Sequence, residues 1–197
     1  EEEFGSEFFY DLCVGLDRDT CLVTHMDYVK PELMFNENYA YRGSMSKTMN
    51  IHFHMFSSYV KQFLPKNPIV WTQDLANTIL EELGTIDLVF SANCICHIPD
   101  LDQTFSAVES VLSDNGFFVF EDPSLASVIN VNSYDQIYDE HPHVFSIIAL
   151  KSILERNNLS IVKVENTSVH GGSNRVWVQK SKVANPDCSV ENNLTYE

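Results

Sequence analysis

The chain has 197 residues, 44% of them hydrophobic and 20% charged, which is enough length and apolar content for one domain with a real core. Its 28 acidic residues against 12 basic ones leave a formal net charge of −16, so neither a phosphate backbone nor an anionic membrane surface is an expected partner. No apolar run approaches the roughly 18–20 residues that cross a bilayer, and the acidic start EEEFGSEFFY does not resemble a basic leader, so a cytoplasmic location is expected.

In chain order, residues 1–43 show weak periodicity and read as an irregular N-terminal module. From Ser44 the apolar residues Met45, Met49, Phe53, Phe56, Val60 and Phe63 recur at helical spacing, up to Pro65. PIVWT (68–72) has the makeup of a short buried strand, and DLANTILEELG follows as a helix capped by Asp74 and ended by Gly84. IDLVFSA (86–92) is the continuous apolar run of a strand buried on both faces. A helix is expected over about 101–113, closed by Asp114, Asn115 and Gly116, before the strand FFVFEDP (117–123). Ser146 caps an amphipathic helix, SIIALKSILERN, and LSIVKVEN and NRVWVQK are strands on either side of HGGS. Alternation of strand and helix predicts an α/β fold with a mostly parallel sheet and an antiparallel edge. The expected divisions are 1–43, 44–182 and a C-terminal tail at 183–197.

In open α/β sheets, ligands collect beyond the carboxyl ends of the strands. Three polar clusters fall there: SANCICHIPD, EDPS and HGGSNR. The segment YDQIYDEHPHVFS (134–146) lies between the second and third, and concentrates tyrosines, carboxylates and imidazoles before a helix. Glu140 and His141, with Tyr138 just upstream, could supply a general base, its orienting group and a hydroxyl donor; a hydrogen-bonded loop is an equal reading. His170 and Arg175 flank Gly171 and Gly172, which suits either an anionic or sugar group or a plain hairpin turn.

Metal ligation is not expected. Cys94 and Cys96 are one residue apart, closer than zinc pairs, and read as small buried residues. His52 and His54 diverge on a helix, and no H-x-x-x-H spacing supports a metal-dependent hydrolase. With an odd count of five cysteines, a disulfide framework is not expected either.

Taken together, ANCICHIPDL, GFFVFEDPSL, SYDQIYDEHPHVFS, VHGGSNR and MFNENYAYRGSMSKTM resemble the sugar C-methyltransferases, from about Tyr28 to Lys180. These S-adenosylmethionine-dependent enzymes methylate a carbon of nucleotide-linked keto-sugars. The resemblance implies a Rossmann-like class I methyltransferase core, with S-adenosylmethionine as cofactor and a nucleotide-sugar as small-molecule substrate. It implies His141 as the base that removes the proton beside the carbonyl, with Glu140 and Tyr138 holding it and the enolate. Tyr41, or in its place Tyr39, would lie near the sugar, Asn93 and His97 near the cofactor, and His170 near the sugar pocket.

The sequence departs from that family's pattern in three places. No glycine occurs between Gly43 and Gly84, where the family's E-x-G-x-x-D-G cofactor loop would fall, so the core reads as incomplete in its first half. DRDTCLV has Asp17 and Thr20 where a C-x-x-C pair of the family's zinc module would stand, so residues 1–43 read as a remnant without the usual zinc. The family's further C-terminal domain has no counterpart here, and the sequence reads as truncated. A non-catalytic relative that binds a nucleotide-sugar or a protein is the alternative expectation.

Overall fold

The computed structural model describes residues 11–34 and 73–197, together with Lys47, Ile51 and Met55. Of the helix expected from Ser44 to near Pro65 only those three residues are described, all of them helical, and the PIVWT strand, the His52/His54 pair and both Tyr39 and Tyr41 lie outside the described residues.

Two short strands, β1 (Val14–Leu16) and β2 (Val23–His25), pair antiparallel, and one turn of helix, α1 (Pro31–Met34), follows. The 11–34 part of the N-terminal module is therefore a hairpin. It docks on β5 (His143–Val144), the strand right after the YDQIYDEH segment, to form a three-stranded sheet. Main-chain pairing from His25 to the Pro142 carbonyl (2.8 Å) carries the hairpin to the loop that holds His141.

The main sheet begins after α2 (Gln73–Glu82), which ends near Gly84 at φ +71°, a left-handed conformation that glycine adopts without a Cβ clash. Strand β3 (Ile86–Ala92) leads to α3 (Leu101–Val111), whose N-cap Asp100 accepts from the Gln103 amide at 2.8 Å. The expected 101–113 helix stops at Val111, and β4 (Leu112–Pro123) starts at once. Ile86 pairs with Leu112 but Leu88 pairs with Phe117, so the turn residues Asp114–Gly116 bulge out of the strand. After α4 (Leu125–Val131) and β5 come α5 (Ile147–Arg156), β6 (Leu159–Thr167) and β7 (Ser173–Lys180). The order is β3-β4-β7-β6, with β3 and β4 parallel and β7 antiparallel to both neighbours. The fold is α/β with the antiparallel edge that the sequence pattern predicts.

Side chains alternate across β4. Phe118 and Phe120 turn to one face, where they join Phe105, Leu150, Leu154, Val176 and Val178 in the main core. Val119 turns to the other, against Trp177 and Val162. Residues 183–197 are not a loose tail. They carry α6 (Cys188–Tyr196), which buries Val190 in the main core, while Ser189 Oγ accepts from the Val164 amide at 2.8 Å. Glu197 Oε2 accepts from the amides of Ile147 (2.6 Å) and Ile148 (3.1 Å), placing a carboxylate on the N-terminus of α5 beside the Ser146 cap.

Candidate active site

The polar clusters meet beyond the carboxyl ends of β3 and β4. Past β3 the chain turns through Asn93, which holds φ +50° and donates its main-chain N–H to the Glu121 carbonyl at 2.6 Å. Asparagine tolerates this left-handed conformation better than most residues. The turn continues into a short 3-10 helix, Ile95–His97, which brings Cys96 and His97 back over the end of β4. There the Cys96 N–H donates to Asp122 Oδ1 at 3.3 Å.

His141 enters this space from the loop before β5 and is 5% exposed. Its Nδ1 lies 3.0 Å from the Gln136 carbonyl. A carbonyl only accepts, so Nδ1 carries the proton and Nε2 the lone pair. The Tyr138 hydroxyl, 3.0 Å from Nε2, donates to it. His97 is fixed in the same way, by an Nδ1–H to the Glu140 carbonyl at 2.5 Å, and its ring stands edge-on to His141 with centroids 4.7 Å apart. Burial pushes the His141 imidazole down to about 4, helped by the nearby His97, His170 and His25 rings and opposed by the Gln136 carbonyl. The ring is thus neutral at pH 7, with one lone pair in a fixed direction.

Two further groups have unmet hydrogen-bonding capacity. Both ends of the Asn93 amide are buried without a partner, as is Asp122 Oδ2. Burial raises the Asp122 carboxyl to about 7, against the lowering effect of hydrogen bonds from the Cys96 thiol and the amides of Cys96 and Cys94. Buried polar groups are nearly always hydrogen-bonded in folded proteins, so these atoms are places that an ordered water, an ion or a ligand can complete.

His170 sits at φ +50° in the turn between β6 and β7, close enough to lower the proton affinity of His141. Its neighbours need to be glycine for packing as well as for turning. A Cβ on Gly172, at φ +121°, would lie 2.5 Å from Ser127 of α4, and one on Gly171 would lie 3.0 Å from Ser133 Oγ. Glu140 reaches the cluster through its carbonyl, on His97.

Arg175 is not brought to this cluster. It is opposite Glu121 on β4 and Glu165 on β6, on the sheet face away from Asp122. Its Nε and Nη2 donate to Glu121 Oε2 at 3.1 and 2.8 Å, and the Glu121 side chain is fully buried.

Sequence patterns gave no sign of three members. His25 arrives on the β2 hairpin and has a buried Nε2 without a partner. Gln136 acts through its main chain, which no side-chain pattern encodes. Cys96, expected as a plain core residue, has its sulfur within 4.8 Å of ring nitrogens of His97 and His141. Asp122 had a usable signal, as an acid at the end of a buried parallel strand.

Residues 8–164 match the model of a family described as "Methyltransferase domain". The chain belongs to that family. This methyltransferase-family chain is also 33% identical over 106 residues to the C-methyltransferase NovU of Streptomyces niveus, a match over 54% of this chain and 25% of NovU. It therefore spans about a quarter of the length of that curated relative. Among solved structures, it overlays an S-adenosylmethionine-dependent methyltransferase from Clostridium acetobutylicum ATCC 824 with a TM-score of 0.42 and 15% identity, covering 68% of this chain and 72% of the other. A magnesium protoporphyrin IX methyltransferase from Synechocystis PCC 6803 with bound SAH gives a TM-score of 0.39 at 19% identity, over 57% and 51% of the two chains.

Of the cysteines expected in a zinc-module remnant, Cys13 and Cys21 are free and exposed. Among the described residues they belong to no group of three or more ligand side chains. No helix among the described residues is long and apolar enough to cross a membrane.

Proposed function

We propose that this chain carries the proton-abstraction half of an S-adenosylmethionine-dependent C-methyltransferase acting beside the carbonyl of a nucleotide-linked keto-sugar or a similar substrate. The observation that carries the reading is the His141 lone pair, buried, neutral and aimed by the Gln136 carbonyl toward the Tyr138 hydroxyl. A hydrogen on a carbon beside a ketone is acidic enough for a positioned imidazole to remove, provided donors stabilise the enolate oxygen.

The roles divide among the side chains in place. Nε2 of His141 takes the proton once the substrate displaces the Tyr138 hydroxyl from it. That hydroxyl then turns its O–H to the enolate oxygen. The imidazolium so formed keeps Nδ1–H on the Gln136 carbonyl and turns Nε2–H to the enolate charge, which raises the affinity that burial lowers. The unpaired Asn93 amide, at the end of β3, fits a hydrogen-bonding group of the cofactor. When bound, S-adenosylmethionine supplies the electrophilic methyl group for the carbanion. His170, and Tyr41 or Tyr39, complete the sugar side in this reading. That NovU is described as a C-methyltransferase supports transfer to carbon.

The absence of any glycine between Gly43 and Gly84 favours a second reading, a relative that binds a nucleotide-sugar without methyl transfer. Titration calorimetry separates the two. The enzyme releases or takes up heat with S-adenosylmethionine, whereas a sugar-binding relative responds to a nucleotide-sugar alone. Failure to bind S-adenosylmethionine would remove the enzymatic reading.

A further inference from the structure

We propose that Cys96, His97 and His141 form a binding site for a borderline divalent cation such as Zn²⁺ or Co²⁺, and that the bound ion blocks His141 as a base. The three ligand atoms, one thiol sulfur and two ring nitrogens, lie within 4.8 Å of one another. Metal–nitrogen bonds of roughly 2.0–2.1 Å and metal–sulfur bonds of about 2.3 Å bring such atoms to about 3.3–3.8 Å in four-coordinate geometry. Small side-chain rotations close the difference.

The surroundings match what a ligating histidine needs. Each imidazole donates Nδ1–H to a main-chain carbonyl, His97 to Glu140 and His141 to Gln136, so the lone pair of each ring is on Nε2. This is the outer-shell arrangement that orients histidine ligands. Charge also balances. The Cys96 main-chain N–H donates to Asp122 Oδ1 at 3.3 Å, which sets the thiol beside that carboxyl, and the thiol proton leaves to solvent when metal binds. One thiolate and one buried carboxylate then face a dication, and the unpaired Asp122 Oδ2 gains a cationic neighbour. Three ligands leave a fourth position for water or the Tyr138 oxygen, which already lies 3.0 Å from Nε2 of His141. The sulfur and imidazole donors select against Mg²⁺ and Ca²⁺, which prefer oxygen.

Binding does not depend on the proposed function, but inhibition rests on it, because the lone pair that holds the ion is the one that takes the proton. The test uses reduced, chelator-stripped protein in which the exposed Cys13, Cys21, Cys94 and Cys188 are replaced by serine. Co²⁺ is expected to bind one to one, with a sulfur-to-cobalt charge-transfer band that Mg²⁺ does not displace. The band is expected to vanish in Cys96→Ser, and Co²⁺ affinity to fall at least tenfold in His97→Gln and His141→Gln, whose folding is checked by circular dichroism. No band in the starting protein, or unchanged affinity in the two histidine variants, would overturn the site. Zn²⁺ is further expected to stop methyl transfer and a chelator to restore it. Zinc that binds without slowing transfer would overturn the inhibition and His141 as base while sparing the site. No Co²⁺ binding, with His141→Ala still inactive, would overturn the site while sparing the base.

Discussion

The Tyr138 hydroxyl lies 3.0 Å from Nε2 of His141, on the one ring nitrogen that the Gln136 carbonyl leaves unprotonated. That single contact joins an acid-base pair from the two ends of a four-residue stretch, YDEH. If the pair acts on a substrate, removing either member has a different signature. His141→Ala is expected to abolish methyl transfer with the fold retained. Tyr138→Phe is expected to lower kcat by roughly 10²–10³-fold, the loss of one enolate donor, with a smaller change in KM. Steady-state kinetics of the two variants, with circular dichroism as the fold control, checks both.

Stability is expected to fall on mild acidification. Burial lowers the proton affinity of His25, His97 and His143, and takes His141 to about 4. Unfolded, these rings take up protons near pH 6.5 while the folded forms stay neutral, so stability present above pH 6.5 is lost as pH falls. Asp122 works in the opposite sense. Raised to about 7, it keeps a proton that the unfolded chain gives up, so its contribution grows as pH falls. Between pH 7.5 and 5, His141 loses about 2 kcal/mol and Asp122 gains about 2.5 kcal/mol, so these two nearly offset and the fall comes from His25, His97 and His143. Urea midpoints at pH 7.5 and pH 5 measure the difference, and a higher midpoint at pH 5 would mean that the rings are not held neutral.

Arg175 is expected to matter for stability. Its guanidinium neutralises Glu121, whose side chain is fully buried, and lies on the far face of the sheet from Asp122. Arg175→Met takes the guanidinium from that buried carboxylate, which costs about 3–5 kcal/mol. Chemical denaturation gives the loss directly. A loss of substrate affinity at unchanged stability would instead place Arg175 at the sugar.

Gly172→Ala is expected to destabilise by about 1–3 kcal/mol, since φ +121° is strained for an L-residue and the new methyl meets Ser127. A melting temperature lower by several degrees is the expected reading, and an unchanged one would mean that the turn moves freely off α4.

Much of the framework was legible because it depends on local patterns. The apolar run IDLVFSA, the Ser146 cap and Gly84 each encode their element directly, and the polar clusters at strand ends pointed to the candidate site. The bulge at Asp114–Gly116 was read as a turn between elements, because turn residues look the same inside a long strand. Long-range pairing was not legible. Nothing near Val23 announces its partner Val144, more than a hundred residues on, and nothing in DCSVENNLTYE announces that Ser189 binds the β6 backbone. Two of the carbonyls that set the histidine tautomers are main-chain atoms, invisible to any reading of side-chain types.

The most direct test of His141 as a base follows the substrate's own hydrogen. In deuterated water, with a nucleotide-linked keto-sugar and S-adenosylmethionine present, NMR reads exchange at the carbon beside the carbonyl. The wild-type chain is expected to promote exchange and His141→Ala to leave it at the uncatalysed rate. Equal exchange in the two would contradict the assignment.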